Sequence, residues 1–414
     1  MPLNDAFMGE CHINRLPIEL LAAIIEEHSV LELRAPFIDS QVCSRWHATT
    51  RLWPRVWSYI TMRSITEHRI PMNQFRVILE RSGASPLHVN LEYPDVGVGI
   101  SSMMLFQRAT ITRIQVLLLE GMLPGDIRVM KGMPNLRILQ FMACYWGGVI
   151  KFRLGAESFP RLDELVVHNM GFLPPVAVGS PVLLRTVSFY DINHAEWFKI
   201  LSECRETLVE VFLYRCRLSP QAQIHLPKLK FLALSNMLNF RNDIVAPGLN
   251  IFHEHLTRLA PLKLPFSFSL ITEYACRVSY TFLSDGARLA ERVFPNLERF
   301  ILWGTWRIIW EVLWQLASHP YAVPNLNTIE LVMENGQELS GTQWEELEKL
   351  FVHTPLSSVL KRRVDSRAPY ARLHLAQVRG SSVNAIHILI PSLDSFGSYQ
   401  SLNSTTSILV TTLI

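Results

Sequence analysis

"MPNLRILQF", residues 133–141, carries the pattern on which the fold turns. An apolar residue and a proline precede a spaced leucine, and two alternating apolar positions follow. The template apolar-Pro-x-Leu-x-x-apolar-x-apolar recurs in "FPRLDELVV" (159–167), "LPKLKFLAL" (226–234), "FPNLERFIL" (294–302) and "VPNLNTIEL" (323–331). Looser copies are "ITRIQVLLL" (111–119), "SPVLLRTVSF" (180–189), "ETLVEVFL" (206–213) and "LTRLAPLKL" (256–264). Aligned on their last strand position, the copies place Leu119, Phe141, Val167, Phe189, Leu213, Leu234, Leu264, Leu302 and Leu331 in register. The steps between them are 22, 26, 22, 24, 21, 30, 38 and 29 residues. Self-similarity at this period marks stacked supersecondary units of the leucine-rich-repeat kind.

Each unit offers one short strand that cannot bury its leucines alone, so neighbours must stack into a continuous core along a parallel sheet. The segments "AEWFKILSECRE" (195–206), "TWRIIWEVLWQLASH" (305–319) and "GTQWEELEKLFVH" (341–353) have helical spacing and are expected on the outer side. Cys144 and Cys216 fall at the repeat's small turn-facing position, which reads as scaffold. The solenoid is expected over 85–380. The Ser- and Asn-interrupted stretch 381–414 is expected as a cap or a poorly ordered tail.

In such strands the residues between the inward leucines face the concave sheet surface. The informative ones are His168, Tyr190, Phe212, Tyr214 and Trp303, beside Gln140, Met142, Val166, Ser188, Ala233, Ser235 and Ile301. Exposed in a row, such aromatics would suit a protein substrate. Covered by a terminal segment, they would be core.

Up to about residue 62 the rhythm is helical instead. In "INRLPIELLAAIIEEHS" (13–29), Leu16, Leu20, Leu21, Ile24 and Ile25 form one apolar stripe. Pro17 suits the first turn, and Glu26 and Glu27 are expected on the wet side. A second helix is expected from about Pro36 into the forties, carrying Phe37, Val42 and Trp46, with Trp53 and Trp57 around Pro54. A helical linker is expected over 63–84. A bundle of roughly fifty residues is marginal alone and often completes its core against something else.

Three fragments of this region carry a resemblance. "LPIELLAAII", "VCSRW" and "LWPRVW" are similar, in order and spacing, to the opening helix, second helix and closing element of the F-box. An F-box followed by irregular leucine-rich repeats resembles a large group of proteins abundant in mushroom-forming fungi. The implied fold is α/β: a small helical F-box (1–62) followed by a leucine-rich-repeat solenoid with its parallel sheet on the concave side and helices outside. The implied function is substrate recognition in a cullin-RING ubiquitin ligase, with the F-box on the small adaptor subunit and the repeats on a protein substrate. Leu16, Pro17, Leu20, Leu21 and Ile24 would then meet the adaptor, with Val42, Trp46 and Trp57 completing the core and the remaining contacts. Ser44 departs from the family's pattern, where a basic residue is common, and so does the link "EEHSVLELRAPF" (26–37).

Composition agrees with a non-catalytic receptor. The 414 residues are 49% hydrophobic, enough for a large core. Thirty-nine Lys and Arg against 36 Asp and Glu give +3, which points to neither nucleic acid nor an anionic membrane as partner. The triplet "KRR" (361–363) is a basic patch too short to change that. The start "MPLNDAFMGECH" has no basic region leading into an apolar run, and no stretch approaches the ~18 apolar residues of a membrane span. Six cysteines without a Cys-x-x-Cys pair suggest reduced thiols in the cytoplasm or nucleus. "HEH" (253–255) puts His253 and His255 on one strand face, a pair that lacks further metal ligands nearby. The "GVG" of 97–99 lacks the third glycine and helix of a dinucleotide fingerprint, and no nucleophile elbow or Walker loop occurs. No metal or cofactor is expected. Two rivals remain: a scaffold that uses the same adaptor without ligase activity, and a repeat-fold hydrolase or lipid-binding protein with an accidental F-box match.

Overall fold

The computed structural model describes residues 15–62, 72–92, 107–121, 132–142, 153–170, 173–177, 180–192, 196–216, 223–235, 244–256, 268–278, 293–333 and 340–351. They form two compact units, one of described residues up to Val89 and one from Asn90 onward. Cys144, the 97–99 and 361–363 motifs and the 381–414 stretch lie outside the described residues.

The first unit contains α1 (Ile18–Leu31), α2 (Ala35–Asp39), α3 (Ser44–Leu52), a 3-10 turn (Pro54–Trp57), β1 (Tyr59–Met62) and α4 (Met72–Arg81), and β2 (Leu87–Glu92) begins in it. The single second helix expected from Pro36 is two helices. The backbone tightens after α2, with Gln41 N–H on the Ile38 carbonyl and Val42 N–H on that of Asp39. Cys43 then goes extended (φ −163°, ψ 172°) and caps α3. Trp57 is the hub. It is 1% exposed, its indole N–H donates to the Thr50 carbonyl at 2.7 Å, and the Phe37 ring meets it edge-on at 5.0 Å. The Arg81 guanidinium of α4 lies 4.6 Å over its face, and Phe75 and Ile78 of α4 are buried.

The second unit runs through α5 (Arg108–Ile111), β3 (Ile114–Glu120), β4 (Ile138–Met142), β5 (Glu164–His168), β6 (Thr186–Tyr190), α6 (Glu196–Glu203), β7 (Glu210–Tyr214), β8 (Ile224–His225) and β9 (Phe231–Ser235). It continues with β10 (Ile244–Val245), β11 (Ile251–Leu256), β12 (Glu273–Val278), β13 (Arg299–Gly304), α7 (Trp306–Ser318), β14 (Thr328–Met333) and α8 (Gly341–Phe351). Its main strands follow the order β3-β4-β5-β6-β7-β9-β11-β12-β13-β14. Each neighbouring pair is parallel. This is an α/β parallel-strand solenoid.

The repeat template has a local cause. Proline at its second position presets φ for a tight turn. The carbonyl of the apolar residue before it accepts the N–H of the leucine three residues on, as in Leu136 to Met133, Leu162 to Phe159, Leu229 to Leu226, Leu297 to Phe294 and Leu326 to Val323. Both ends of each turn are buried, Met133 and Leu136 at 0%. Beyond the turn, successive N–H groups climb onto the preceding unit, such as Arg137 to the Gln115 carbonyl, Asp163 to Arg137, Arg185 to Asp163 and Val209 to Arg185. Where the variable position is asparagine, its side-chain amide spans to the neighbouring turn: Asn135 to Thr112, Asn296 to Ser269 and Asn325 to Pro295, at 2.6–2.7 Å.

One stretch of the expected register is corrected. Leu264 lies outside the described residues, and the partner of Leu234 is Glu254, followed by Cys276 and then Leu302. Two strands, β11 and β12, therefore fill the two long gaps, and the steps from 234 to 254, 276, 302 and 331 become 20, 22, 26 and 29 residues. "APGLNIFHE" (246–254) does fit the template except that glutamate holds the last apolar position. Glu254 is 3% exposed and accepts a hydrogen bond from the Tyr274 hydroxyl.

The core face of the sheet sets the stability of this unit. Leu232, at 0% exposure, is expected to cost about 3 kcal/mol when cut to alanine. Leu183, 60% exposed, should change stability by no more than about 0.5 kcal/mol. Urea unfolding of the two variants measures the contrast.

Candidate functional site

Two surfaces carry the residues singled out by sequence. On α1 the apolar residues do not form one stripe. Leu21, Ala22 and Ile25 are fully buried, whereas Leu20 is 53% and Ile24 45% exposed. At 3.6 residues per turn, Leu20, Ile24 and Leu31 share a second face, turned away from the unit's core. A helix that is apolar on both sides has more to bury than its own unit covers. Ile38 and Val42, 46% and 57% exposed, add to the uncovered apolar area beyond α1. Leu16 is half-buried, and its carbonyl accepts from the Arg45 guanidinium. Pro17 is exposed and sits at the N-cap, with its carbonyl taking the Leu21 N–H at 3.1 Å. Trp46 is half-buried.

Leu21, expected at the adaptor face, is instead wholly internal, and so is Trp57, expected to complete the core and present further contacts; both hold the unit together. Glu26 also departs from expectation. α1 runs on to Leu31, which turns Glu26 inward, where it accepts from the Tyr59 hydroxyl at 2.8 Å and pairs with Arg55 at 3.1 Å. Burial, and Glu26 beside it, push the Tyr59 hydroxyl well above the ordinary tyrosine range. Glu27 is exposed.

The second surface is the sheet face opposite the solenoid core. Register places His168, Tyr190 and Tyr214 in one row, followed by Ser235, His255, Arg277 and Trp303. Phe212 lies one row below, between Ser188 and Ala233. Of the two alternatives, an exposed aromatic row or a covered one, the rings are covered: Tyr190, Phe212 and Tyr214 are only 6, 5 and 7% exposed. Parallel strands lie ~4.8 Å apart, so in-register rings cover one another. Centroids are 5.9 Å apart for His168 and Tyr190 and 6.2 Å for Tyr190 and Tyr214, while Phe212, in register with Ala233, meets Phe231 diagonally at 4.7 Å. His168 and Trp303 remain half-exposed.

Charged residues that the sequence reading passed over frame this face. At the strand ends, Asp191 lies 3.9 Å from His168 and 3.7 Å from Arg215, whose guanidinium sits 5.0 Å over Tyr214. Asn169, Asp191 and Arg215 are all left-handed (φ 49–54°). Each donates its N–H to the last residue of the next strand, at 2.8–2.9 Å. Burial lowers the His168 pKa despite Asp191. At the strand starts, Glu164, Thr186 and Glu210 occupy one row. Burial pushes Glu164 up to about 7, helped by Glu210 and Asp163. Glu210 is also raised by burial. Farther along, Glu273 accepts from His253 at 3.0 Å and Arg299 at 2.8 Å, and Arg299 clasps Glu330 through two bonds at 3.1 and 3.0 Å. Burial alone would raise Glu273, but His253 and Arg299 hold it below the usual carboxylate range. The template's unconstrained position just before its first strand apolar residue supplies Glu164, Glu210, Glu273 and Arg299, which is the signal that could have found them.

The two histidines of "HEH" are engaged separately: His253 by Glu273, and His255 Nδ1 by the Ser235 hydroxyl at 2.9 Å. Among the described residues no group of three or more His, Cys, Asp or Glu could hold a metal ion. Cys216 is 1% exposed, its thiol facing the Phe189 carbonyl at 3.4 Å, and burial pushes it up to about 12, which keeps it a protonated thiol. Among the described residues no helix is long and apolar enough to cross a membrane. No family model matches the chain, and no curated protein matches it in sequence.

Glu164 gives this face a pH signature. A carboxyl raised on folding contributes stability that is present at low pH and is lost as pH rises through about 7. Its side-chain carbon resonance should titrate near pH 7. Glu164→Gln should raise stability at pH 8 relative to the parent and leave little difference at pH 4. A titration midpoint near the ordinary glutamate value would contradict this.

Proposed function

We propose that the chain is an F-box-type substrate receptor of a cullin-RING ubiquitin ligase, working in the cytoplasm or nucleus and doing no chemistry of its own. The small helical unit docks on the adaptor subunit, and the leucine-rich-repeat solenoid holds a protein substrate. The observation that carries this reading is the uncovered apolar face of α1, with Leu20 and Ile24 outward while Leu21 and Ile25 fill the core beneath. A partner's helices would cover that face, with apolar anchors at the centre and polar residues at the rim. The resemblance of "LPIELLAAII", "VCSRW" and "LWPRVW" to the F-box supplies the identity of the partner. Leu16, Pro17, Leu20, Ile24, Val42 and Trp46 make the contact, while Leu21 and Trp57 support it from within.

The mechanism is proximity. A substrate held on the solenoid keeps its lysines near a ubiquitin-loaded enzyme carried by other subunits, so a second-order encounter becomes a local one. On the solenoid, His168 and Trp303 offer the accessible ring edges, and Tyr190, Phe212 and Tyr214 are the packed floor.

Leu20→Asp replaces an exposed residue and should leave the fold intact while reducing capture of purified adaptor by at least about tenfold. Equal capture by parent and variant would sink the docking reading. Capture of the adaptor without the cullin would favour a scaffold outside the ligase.

A further inference from the structure

α2 is a single short turn of helix whose two halves are held differently. At its start, Ala35 and Pro36 are buried, and the Phe37 ring packs on Trp57. At its end, Ile38 turns outward, and Asp39 turns inward to 4% exposure. There the Asp39 carboxylate accepts from His28 Nδ1 in the last turn of α1, at 3.0 and 3.1 Å to its two oxygens. The Asp39 carbonyl in turn takes the Val42 N–H at 3.2 Å. One residue thus ties the end of α2 to α1 between the two exposed apolar residues Ile38 and Val42.

Burying this carboxylate is a poor way to gain stability. Burial raises the Asp39 pKa above its ordinary value, Glu32 adds to the rise, and His28 offsets only part of it. Apolar replacements of buried ion pairs are often neutral or stabilising. The burial, not the His28 contact, opposes the charged carboxylate, and the contact lies between two exposed apolar residues, Ile38 and Val42.

We propose that His28 and Asp39 are positioning residues for the docking face: their contact sets Ile38 and Val42 in place, so adaptor binding depends on it more than folding does. The proposal rests on the adaptor-docking reading above. It adds Ile38, which the F-box resemblance did not single out, to the contact surface, and assigns a role to a histidine–aspartate pair that no motif marks.

The test uses the full chain and purified adaptor, with binding by calorimetry and melting followed by circular dichroism. Asp39→Ala is expected to weaken adaptor binding about tenfold with the melting transition kept. Asp39→Asn, which retains the acceptor for His28, should bind like the parent. The double variant His28→Ala/Asp39→Asn removes the contact without leaving a buried charge and should bind as weakly as Asp39→Ala, which covers the case in which the single alanine variant does not fold. If these variants bind like the parent while Leu20→Asp does not bind, the positioning role is overturned and the docking reading stands. If Leu20→Asp also binds like the parent, the docking reading itself fails. Weak binding by Asp39→Asn, or binding lost only in step with melting, would reduce the pair to a structural contact.

Discussion

The Pro-x-Leu turn is the constraint on which the solenoid depends. It closes a three-residue hydrogen bond between two buried apolar residues, for example Phe294 and Leu297, and delivers the chain into the next strand at a fixed phase. With that phase fixed, the alternating residues of each strand fall into rows shared by every neighbour. One set of rows becomes core: Leu139, Leu165, Val187 and Val211 lie side by side at 0% exposure. The opposite rows become a surface, and its chemistry is free to vary because the turn and the core have already decided the fold.

The helical unit obeys a different constraint. One side of α1 is buried and the other exposed, and the choice of which side to bury is made by Trp57 and by the packing of α2 and α3. Leu21, Ala22 and Ile25 go in, and Leu20 and Ile24 stay out. The same arrangement that stabilises the unit thereby leaves an apolar face in water, the face on which the proposed adaptor would dock. The solenoid's open face differs: its rings are largely spent on one another, and its charges on mutual pairs such as Arg299 with Glu273 and Glu330.

Much of the solenoid was legible in sequence because template and turn coincide residue by residue. The gap between Leu234 and Leu302 was not, since Glu254 stands at a position the template reserves for an apolar side chain, and the β12 copy lacks the proline. Its acceptance there rests on Tyr274, a neighbour 20 residues away that no local pattern reveals. Period-two alternation correctly placed Tyr190, Phe212 and Tyr214 on the face opposite the core. It could not give their exposure, which depends on rings from adjacent strands. On α1, spacing alone grouped Leu20 with Leu21, although they lie about 100° apart on the helix. Which of the two turned inward was decided by packing against Trp57 and its neighbours.

The account stands or falls on what covers α1. Backbone hydrogen exchange of the full chain, with and without purified adaptor, reads this directly. Slowed exchange confined to residues 16–31 and 38–46 is the predicted footprint. Unchanged exchange there, or protection found only along β5, β6 and β7, would contradict it.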